Sequence, residues 1–240
     1  MTEETEKPLM DGSWDERTEL LIGTEAADKL RHSHILIVGT GGVGGYAAEM
    51  LCRAGVGRLT LVDADVVNPS NINRQIIALH STVGRSKVEV LATRLLDINP
   101  RVKVYPVAAF LKDEAMEELL DAAKYDFVVD AIDSLSPKVF LIALSKRRGL
   151  PVISSMGAGA KRDASLIDVA DIARSYNCTL ARAVRKRLRK LGISRGVPVV
   201  FSSELPDESS VMEIEGERCK RSTAGTISYM PAIFGCRIAA

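Results

Sequence analysis

The sequence has few of the residues that build metal clusters or disulfide-stapled folds. No Cys-x-x-Cys pair occurs, and the spacing suggests neither a structural zinc site nor a disulfide framework. The cysteines are Cys52, Cys178, Cys219 and Cys236. The histidines, at positions 32, 34 and 80, have no metal-ligand spacing. We therefore expect no zinc, and we expect these side chains to be packing or surface residues.

Long apolar runs are also missing. No run reaches the roughly 18 to 20 residues that span a bilayer, and the N-terminal segment "MTEETEKPLMDGSWDERTELL" is acidic rather than basic and then apolar. We expect a cytoplasmic protein without a membrane span. The content of 46% hydrophobic and 26% charged residues is typical of a globular domain, which we assign to residues 1–240 with a flexible arm at 1–16.

Short apolar runs alternate with amphipathic stretches over the first 155 residues or so. The strand-like runs are 34–39, 58–65, 103–110, 125–133 and 151–157. The helix-like stretches are 43–54, 86–99, 113–123 and 137–148, the last opened by Ser136 and Pro137. This alternation predicts an α/β fold: a doubly wound, Rossmann-like, mostly parallel sheet with helices on both faces and a C-terminal extension. Ligands are expected at the carboxyl ends of its strands.

The pattern changes after about residue 160. We assign 160–225 to a substrate-facing insertion that contains a helix over about 178–191. Residues 182–195 carry seven cations and no acidic residue. They are Arg182, Arg185, Lys186, Arg187, Arg189, Lys190 and Arg195. Such a run is typical either of a solvated helix face or of a surface that binds phosphates.

A glycine-rich turn, "GTGGVG", follows the first predicted strand and opens a helix. Its glycines are Gly39, Gly41, Gly42 and Gly44. Glycines let the backbone approach a phosphate, and the helix N-terminus supplies free N–H groups. Asp63 ends the second strand 24 residues after Gly39, where a carboxylate can bind ribose hydroxyls, and Asp65 follows it. The pattern predicts a nucleotide site.

The segment "VNPSNINRQ", residues 67–75, is not explained by dinucleotide binding. Arg74 is placed to neutralise charge as pyrophosphate leaves a triphosphate. Asn71, Asn73 and Gln75 can bind phosphate or ribose oxygens without adding charge, and Lys87 offers a second cation at the start of a helix. Asp133, at the end of "VVDAID", is suited to hold a Mg²⁺ ion that bridges phosphate oxygens.

These motifs in this order resemble the adenylation domain shared by ubiquitin-activating enzymes, thiamine-biosynthesis and molybdopterin-synthase adenylyltransferases, known as the ThiF-like family. The resemblance covers residues 17 to about 157. It implies ATP and Mg²⁺ binding, and adenylation of a substrate carboxylate at the α-phosphate. It implies that Gly41 lies in the phosphate turn, that Asp63 binds ribose and that Asp133 binds the metal. It also implies that Asn71, Arg74 and Lys87 contact the triphosphate.

The same resemblance implies a homodimer in which Arg17, within "ERTELLIG", reaches the neighbouring site as an arginine finger. "RTELLIG", "AIDSLSPKVFLIALSKRRGLPVISSMGAGAKRD" and "VVFSSE" are similar to the branch that dehydrates threonylcarbamoyladenosine in tRNA. That branch activates the threonylcarbamoyl carboxylate with ATP and closes it onto its own carbamoyl group. The resemblance leaves room for a sulfur-transfer partner of the cysteine-desulfurase type, but no role is carried to Cys219.

A tRNA substrate gives the basic helix a purpose, because tRNA must be held by its phosphates. We expect Lys161 and Arg162 to extend that surface toward the active site. The surface would then comprise Lys161, Arg162, Arg182, Arg185, Lys186, Arg187, Arg189 and Lys190.

Three alternatives stay open at this point. The chain could activate the C-terminal carboxylate of a small ubiquitin-like or sulfur-carrier protein, although such activators usually carry zinc-ligand cysteine pairs. It could be an NAD-dependent oxidoreductase, which leaves Asn73, Arg74 and Lys87 unexplained. It could be a non-catalytic nucleotide-binding scaffold, which predicts damage at Asp63, Arg74, Lys87 or Asp133, and all four are intact.

Overall fold

The computed structural model describes residues 13–111, 114–213 and 222–240. Cys219 and most of the predicted N-terminal arm lie outside these residues. No helix in the described ranges is both long enough and apolar enough to cross a membrane.

A seven-stranded sheet forms the centre of the described structure, in the order β3-β2-β1-β4-β5-β7-β6. The strands are β1 His34–Val38, β2 Arg58–Val62, β3 Lys103–Val107, β4 Phe127–Asp130, β5 Val152–Ser155, β6 Ile167–Asp171 and β7 Pro198–Ser202. All neighbours pair in parallel except β6, which is antiparallel to β7. The chain order reverses between β1 and β4, and ligands bind at such a switch point in open α/β sheets.

Helices cover both faces of the sheet. They are α1 Glu16–Ile22, α2 Thr24–His32, α3 Gly44–Arg53, α4 Lys87–Ile98, α5 Glu114–Asp121, α6 Leu135–Arg147, α7 Thr179–Lys190 and α8 Tyr229–Ala239. Alternate residues of β1 divide the core: Ile35 and Ile37 pack with α3, α4 and α8, whereas Leu36 and Val38 pack with α5 and α6. The predicted doubly wound sheet is confirmed.

One helix start differs from its prediction. Helix α6 begins at Leu135 after the extended residue Ser134, two residues earlier than the start predicted at Pro137. Proline fits within the first turn of a helix because backbone N–H groups there have no intrahelical partner. Pro137 therefore lies inside the helix instead of opening it.

The predicted insertion at 160–225 continues the main sheet. It supplies β6, α7 and β7, and β7 pairs with β5 through Ser154 and Ser155. It also supplies a small antiparallel ladder of β8, Val211–Glu213, with β9, Ser222–Ala224. A substrate-facing role for this region stays a prediction.

Helix α8 packs tightly along α3. A Cβ atom at Gly42 would lie 3.0 Å from the Pro231 Cβ, and a Cβ atom at Gly235 would lie 2.6 Å from the Val43 carbonyl oxygen and 2.7 Å from the Tyr46 Cβ. The two helices therefore run in the same direction, with both N-termini at the glycine-rich turn.

This contact predicts that Gly235→Ala destabilises the fold by about 1 to 3 kcal/mol, because the added methyl group must push α8 away from α3. Urea unfolding should show a lower midpoint. Cys236→Ala is the matched control, since Cys236 is the next residue of α8 and is exposed. An unchanged midpoint for Gly235→Ala would contradict the close packing.

Candidate nucleotide-binding site

The glycine-rich turn is shaped by the protein's own backbone at two of its glycines. Gly39 has a φ of +90°, and a Cβ atom there would lie 2.6 Å from the Ala131 carbonyl oxygen. A Cβ atom at Gly44 would lie 1.8 Å from the Gly39 carbonyl oxygen. Any side chain at these positions would separate β1 from β4 or from α3, so both residues must be glycine for the fold to form.

Gly41 differs from these two. A Cβ atom at Gly41 would meet the Gln75 Nε2 at 3.5 Å, an ordinary van der Waals contact. The protein itself leaves room for a side chain there. A glycine where the fold does not require one fits a close approach of ligand to backbone.

Gln75 faces this turn from the 67–75 segment. The residue is 7% exposed, and its Oε1 is buried with no hydrogen-bond partner among the described residues. Buried polar atoms are nearly always hydrogen-bonded, and an exception points to a missing water, ion or ligand. The unpaired oxygen belongs to the amide group whose Nε2 faces Gly41, and it therefore fits a nucleotide with donor groups, such as ribose hydroxyls.

Asp63 braces the turn. Its Oδ2 accepts hydrogen bonds from the Thr40 backbone N–H at 2.7 Å and the Thr40 hydroxyl at 3.1 Å, and its Oδ1 accepts one from the Asp65 N–H at 3.0 Å. Thr40 is fully buried and was not among the predicted site residues. The carboxylate thus has a structural role, and its binding of ribose stays a prediction.

Lys87 and Asp65 form an ion pair. The Lys87 Nζ lies 2.7 Å from the Asp65 Oδ2, and the lysine side chain is 7% exposed whereas the aspartate is 66% exposed. Asp65 therefore holds the ammonium group beside the nucleotide site. A direct contact of either residue with the nucleotide stays a prediction.

The 67–75 segment is held by its own amides. The Asn71 Oδ1 accepts a hydrogen bond from the Asn68 N–H at 3.1 Å, which closes a short 3₁₀ turn. The Arg74 Nη1 donates to the Ser70 carbonyl at 2.8 Å and to the Asn73 Oδ1 at 2.9 Å. The Asn71 oxygen, predicted to bind phosphate, thus has an internal partner. Arg74 is fixed in place, with its own carbonyl oxygen beside Gly42.

Asp133 is exposed at the loop that follows β4, and the Ser134 hydroxyl donates to its Oδ1 at 3.3 Å. No group of three or more His, Cys, Asp or Glu residues that could hold a metal occurs among the described residues. Mg²⁺ commonly binds one or two carboxylates together with substrate phosphates. A single carboxylate at this strand end is therefore compatible with a metal that the triphosphate brings.

A buried ion pair lies beneath this loop and was missed from the sequence. The Lys138 Nζ donates to the Asp130 Oδ2 at 2.8 Å, to the Ser154 hydroxyl at 3.1 Å and to the Ser155 carbonyl at 2.8 Å. Both charged side chains are 0% exposed. A single lysine in an otherwise apolar helix segment, "KVFLIAL", was the available signal.

Lys161 lies in the interior, so the prediction that it extends a tRNA-binding surface is corrected. The residue is 3% exposed, and its Nζ donates to the carbonyls of Asn177, Ser202 and Glu204. Burial lowers the pKa of this ammonium group. Lys161 joins the loops after β5 and β7. Arg162 is exposed and pairs with Asp207 at 2.8 Å.

The cations of the basic helix α7 fall into two groups: some are hydrogen-bonded to other segments of the protein, and others are exposed. The Arg185 Nη1 donates to the Ile172 and Ser175 carbonyls at 3.1 and 2.8 Å, and the Arg187 Nη1 donates to the Ser136 hydroxyl at 2.7 Å. Arg185 is therefore structural. The Arg187 contact places α7 beside the start of α6, next to Asp133. Four exposed cations at helical spacing form one face, here named the α7 face: Arg182, Lys186, Arg189 and Lys190.

Arg17 is exposed on α1 and lies away from these residues within one chain. The neighbouring Asp15 pairs with Arg31 at 3.3 Å and with Arg101 at 3.2 Å, beyond the amino ends of the strands. The glycine-rich turn, Asp63 and Asp133 lie at the carboxyl ends. A contact between Arg17 and phosphate would need a second subunit.

Comparison with known proteins identifies relatives with this architecture. The chain is 44% identical over 190 residues to a Bacillus subtilis protein named tRNA threonylcarbamoyladenosine dehydratase, covering 79% of this chain and 74% of the relative. It is 39% identical to the Escherichia coli protein of the same name, covering 82% and 76%. The crystal structure of the E. coli enzyme in complex with ATP matches with a TM-score of 0.85 at 35% identity, covering 94% of this chain and 90% of that one.

A more distant relative is the molybdopterin-synthase adenylyltransferase of Salmonella typhimurium, 35% identical over 64% of this chain and 61% of the relative. The family model described as "ThiF family" matches residues 16–240. The chain belongs to the ThiF family.

Proposed function

We propose that this protein is an ATP-dependent enzyme that dehydrates and cyclises threonylcarbamoyladenosine in tRNA. The B. subtilis and E. coli relatives named tRNA threonylcarbamoyladenosine dehydratase support this tRNA nucleoside as the substrate. The crystal structure of the E. coli relative with ATP supports ATP as the co-substrate. The observation that carries the nucleotide part is the unpaired, buried Gln75 Oε1, which belongs to the amide group whose Nε2 faces Gly41 in the glycine-rich turn.

The proposed chemistry begins with a poor acyl donor. A carboxylate oxygen of the threonylcarbamoyl group attacks the α-phosphorus of ATP, and pyrophosphate leaves. The carbamoyl group of the same substrate then attacks the activated carbonyl carbon, a proton is lost, and AMP leaves with the former carboxylate oxygen. The nucleoside loses the elements of one water. Because the second nucleophile is intramolecular, orientation replaces a catalytic thiol.

We assign the roles from the family resemblance and from the contacts of each side chain. Arg74 neutralises charge on the phosphates, and Lys87, held by Asp65, supplies a second positive charge nearby. The open lone pairs of Asp63 accept from ribose. Asp133 is the residue that would hold Mg²⁺, which when bound supplies further charge neutralisation at the phosphates.

We include a homodimer because the family resemblance implies one, and Arg17 lies at the amino-end side of the sheet, away from the phosphate turn of its own chain. Contact with the phosphates would therefore come from Arg17 of the partner subunit. A sulfur-transfer partner of the cysteine-desulfurase type stays a prediction that rests on the resemblance alone.

The deciding experiment is mass spectrometry of nucleosides from tRNA that carries threonylcarbamoyladenosine, after incubation with the protein, ATP and Mg²⁺. We expect the nucleoside to lose one water, with AMP formed in equal amount, and no loss when ATP is omitted. An unchanged nucleoside despite ATP binding would overturn the proposal. AMP or pyrophosphate formation that required a protein C-terminus instead would favour the adenylyltransferase alternative.

Arg74→Ala should lower the rate of tRNA-dependent pyrophosphate release by about a hundredfold, since a fixed cation at developing charge contributes on that order. Its effect on ATP affinity should be smaller, because charge at the phosphates is greatest in the transition state. Arg85→Ala is the matched control, because Arg85 is exposed and close in sequence. Equal rates for the two variants would remove Arg74 from the mechanism.

Replacing all four residues of the α7 face with glutamate should weaken tRNA binding strongly and leave ATP affinity unchanged. Binding measured against salt should show a slope reduced by roughly 2 to 4, since each phosphate contact contributes about 0.7 to 0.9. Arg185 is left intact because it braces the preceding loop. Four exposed residues near the amino ends of the strands, replaced together by glutamate, give the same change in net charge and serve as the control: Lys29, Lys103, Lys124 and Arg147. If the control weakens binding equally, the α7 face has no specific role.

A further inference from the structure

A cleft of about 510 Å³ lies beside the nucleotide-binding turn, here named the Asn73 cleft. Its lining includes Asn73, Arg162, Ser210, Thr226, Ile227 and Ser228. Small-molecule sites have volumes of roughly 300 to 1,000 Å³. The cleft is therefore large enough for a modified nucleobase with its acyl substituent.

Two residues that line the cleft, Asn73 and Ser228, also connect it to the glycine-rich turn. Asn73 donates to the Thr226 carbonyl at 2.9 Å on the cleft side, and its Oδ1 accepts from Arg74 at 2.9 Å on the other side. Ser228 lines the cleft and directly precedes α8, whose Pro231 lies against Gly42. A group bound in the cleft is thus next to the phosphates held by the turn.

The segments that form the cleft walls are hydrogen-bonded to one another. The Ala160 N–H donates to the Gly225 carbonyl, the Gly225 N–H to Ser210 and the Asp207 N–H to Ala160, at 2.8, 2.8 and 3.0 Å. The Tyr229 hydroxyl donates to the Arg162 carbonyl at 2.8 Å. An extended peptide that binds by strand addition needs unpaired backbone groups, and the three N–H groups named above are already paired. The cleft favours a small polar group over a protein tail.

The exposed charges of the cleft are balanced. Arg162 and Asp207 pair at 2.8 Å with side chains 71% and 36% exposed, and the buried Lys161 ammonium is held by carbonyl groups behind the wall. The exposed pair offers donors and acceptors together without net charge. That chemistry matches a urea joined to an adenine ring better than a polyphosphate, which needs excess cations.

We propose that the Asn73 cleft binds the threonylcarbamoyl-substituted adenine of the substrate and presents its carboxylate to the α-phosphate beside Arg74. This inference rests on the proposed function and extends it by assigning the acyl-binding subsite. The cleft, rather than the α7 face, then distinguishes modified tRNA from unmodified tRNA.

Ser228→Phe tests the subsite by filling the cleft. The Ser228 side chain is exposed and makes no capping hydrogen bond to α8, so its replacement removes no brace. We expect dehydration of modified tRNA to fall at least tenfold, with ATP affinity within threefold of wild type. Ser81→Phe, at an exposed residue outside the cleft, is the matched control.

Binding supplies an independent readout. With a non-hydrolysable ATP analogue, wild type should bind modified tRNA more tightly than unmodified tRNA, and Ser228→Phe should make the two Kd values equal. Arg162→Gln, which removes the guanidinium charge that pairs with Asp207 without adding bulk, should reduce the same preference. Full activity and an intact preference in both variants would overturn the subsite while the wild-type dehydratase activity stands. Absence of dehydration by wild type would instead remove the proposed function, and the subsite with it.

Discussion

The buried pair of Lys138 and Asp130 is the interaction on which the geometry of the switch point depends. Two charges removed completely from water are tolerated only when hydrogen bonds satisfy them, and the Ser154 hydroxyl and the Ser155 carbonyl do so here. The pair therefore fixes α6, β4 and β5 in one arrangement. The remaining Asp130 oxygen accepts the Ile132 N–H at 3.1 Å, which orients the loop between Ala131, packed on Gly39, and Asp133.

The parts of the fold that the sequence predicts are those with local causes. Strand β1 is short, apolar and followed by glycine, and the need for glycine at positions 39 and 44 follows from backbone contacts within a few ångströms. Asp63 was placed by its distance along the chain from Gly39, because the length of a strand-helix-strand unit is nearly fixed. The start of α6 was misplaced since proline is compatible with several positions in the first helical turn.

Burial of charge could not be predicted in the same way, because it depends on partners far away in sequence. Lys87 is held by Asp65, and Lys161 by carbonyls up to 43 residues later. From sequence alone, a lysine is predicted to lie on the surface, because lysine is rarely buried without a partner. The same limit applies to the basic helix α7. Arg185 is hydrogen-bonded to the loop before the helix, whereas Arg182 on the same helix is exposed, and the sequence does not distinguish them.

The distribution of charge around the site agrees with the problem that the proposed reaction presents. A carboxylate must approach a triphosphate, and both are anions in contact with a third, the tRNA backbone. In the proposed function, Arg74 and Lys87 would serve the triphosphate and the α7 face would serve the tRNA backbone, so each of these anions would have its own counter-charge. In the Asn73 cleft, the exposed cation Arg162 is already paired with Asp207. It therefore does not compete with Arg74 for the substrate carboxylate. The proposed subsite would therefore direct the carboxylate toward Arg74, where we propose that attack on phosphorus takes place.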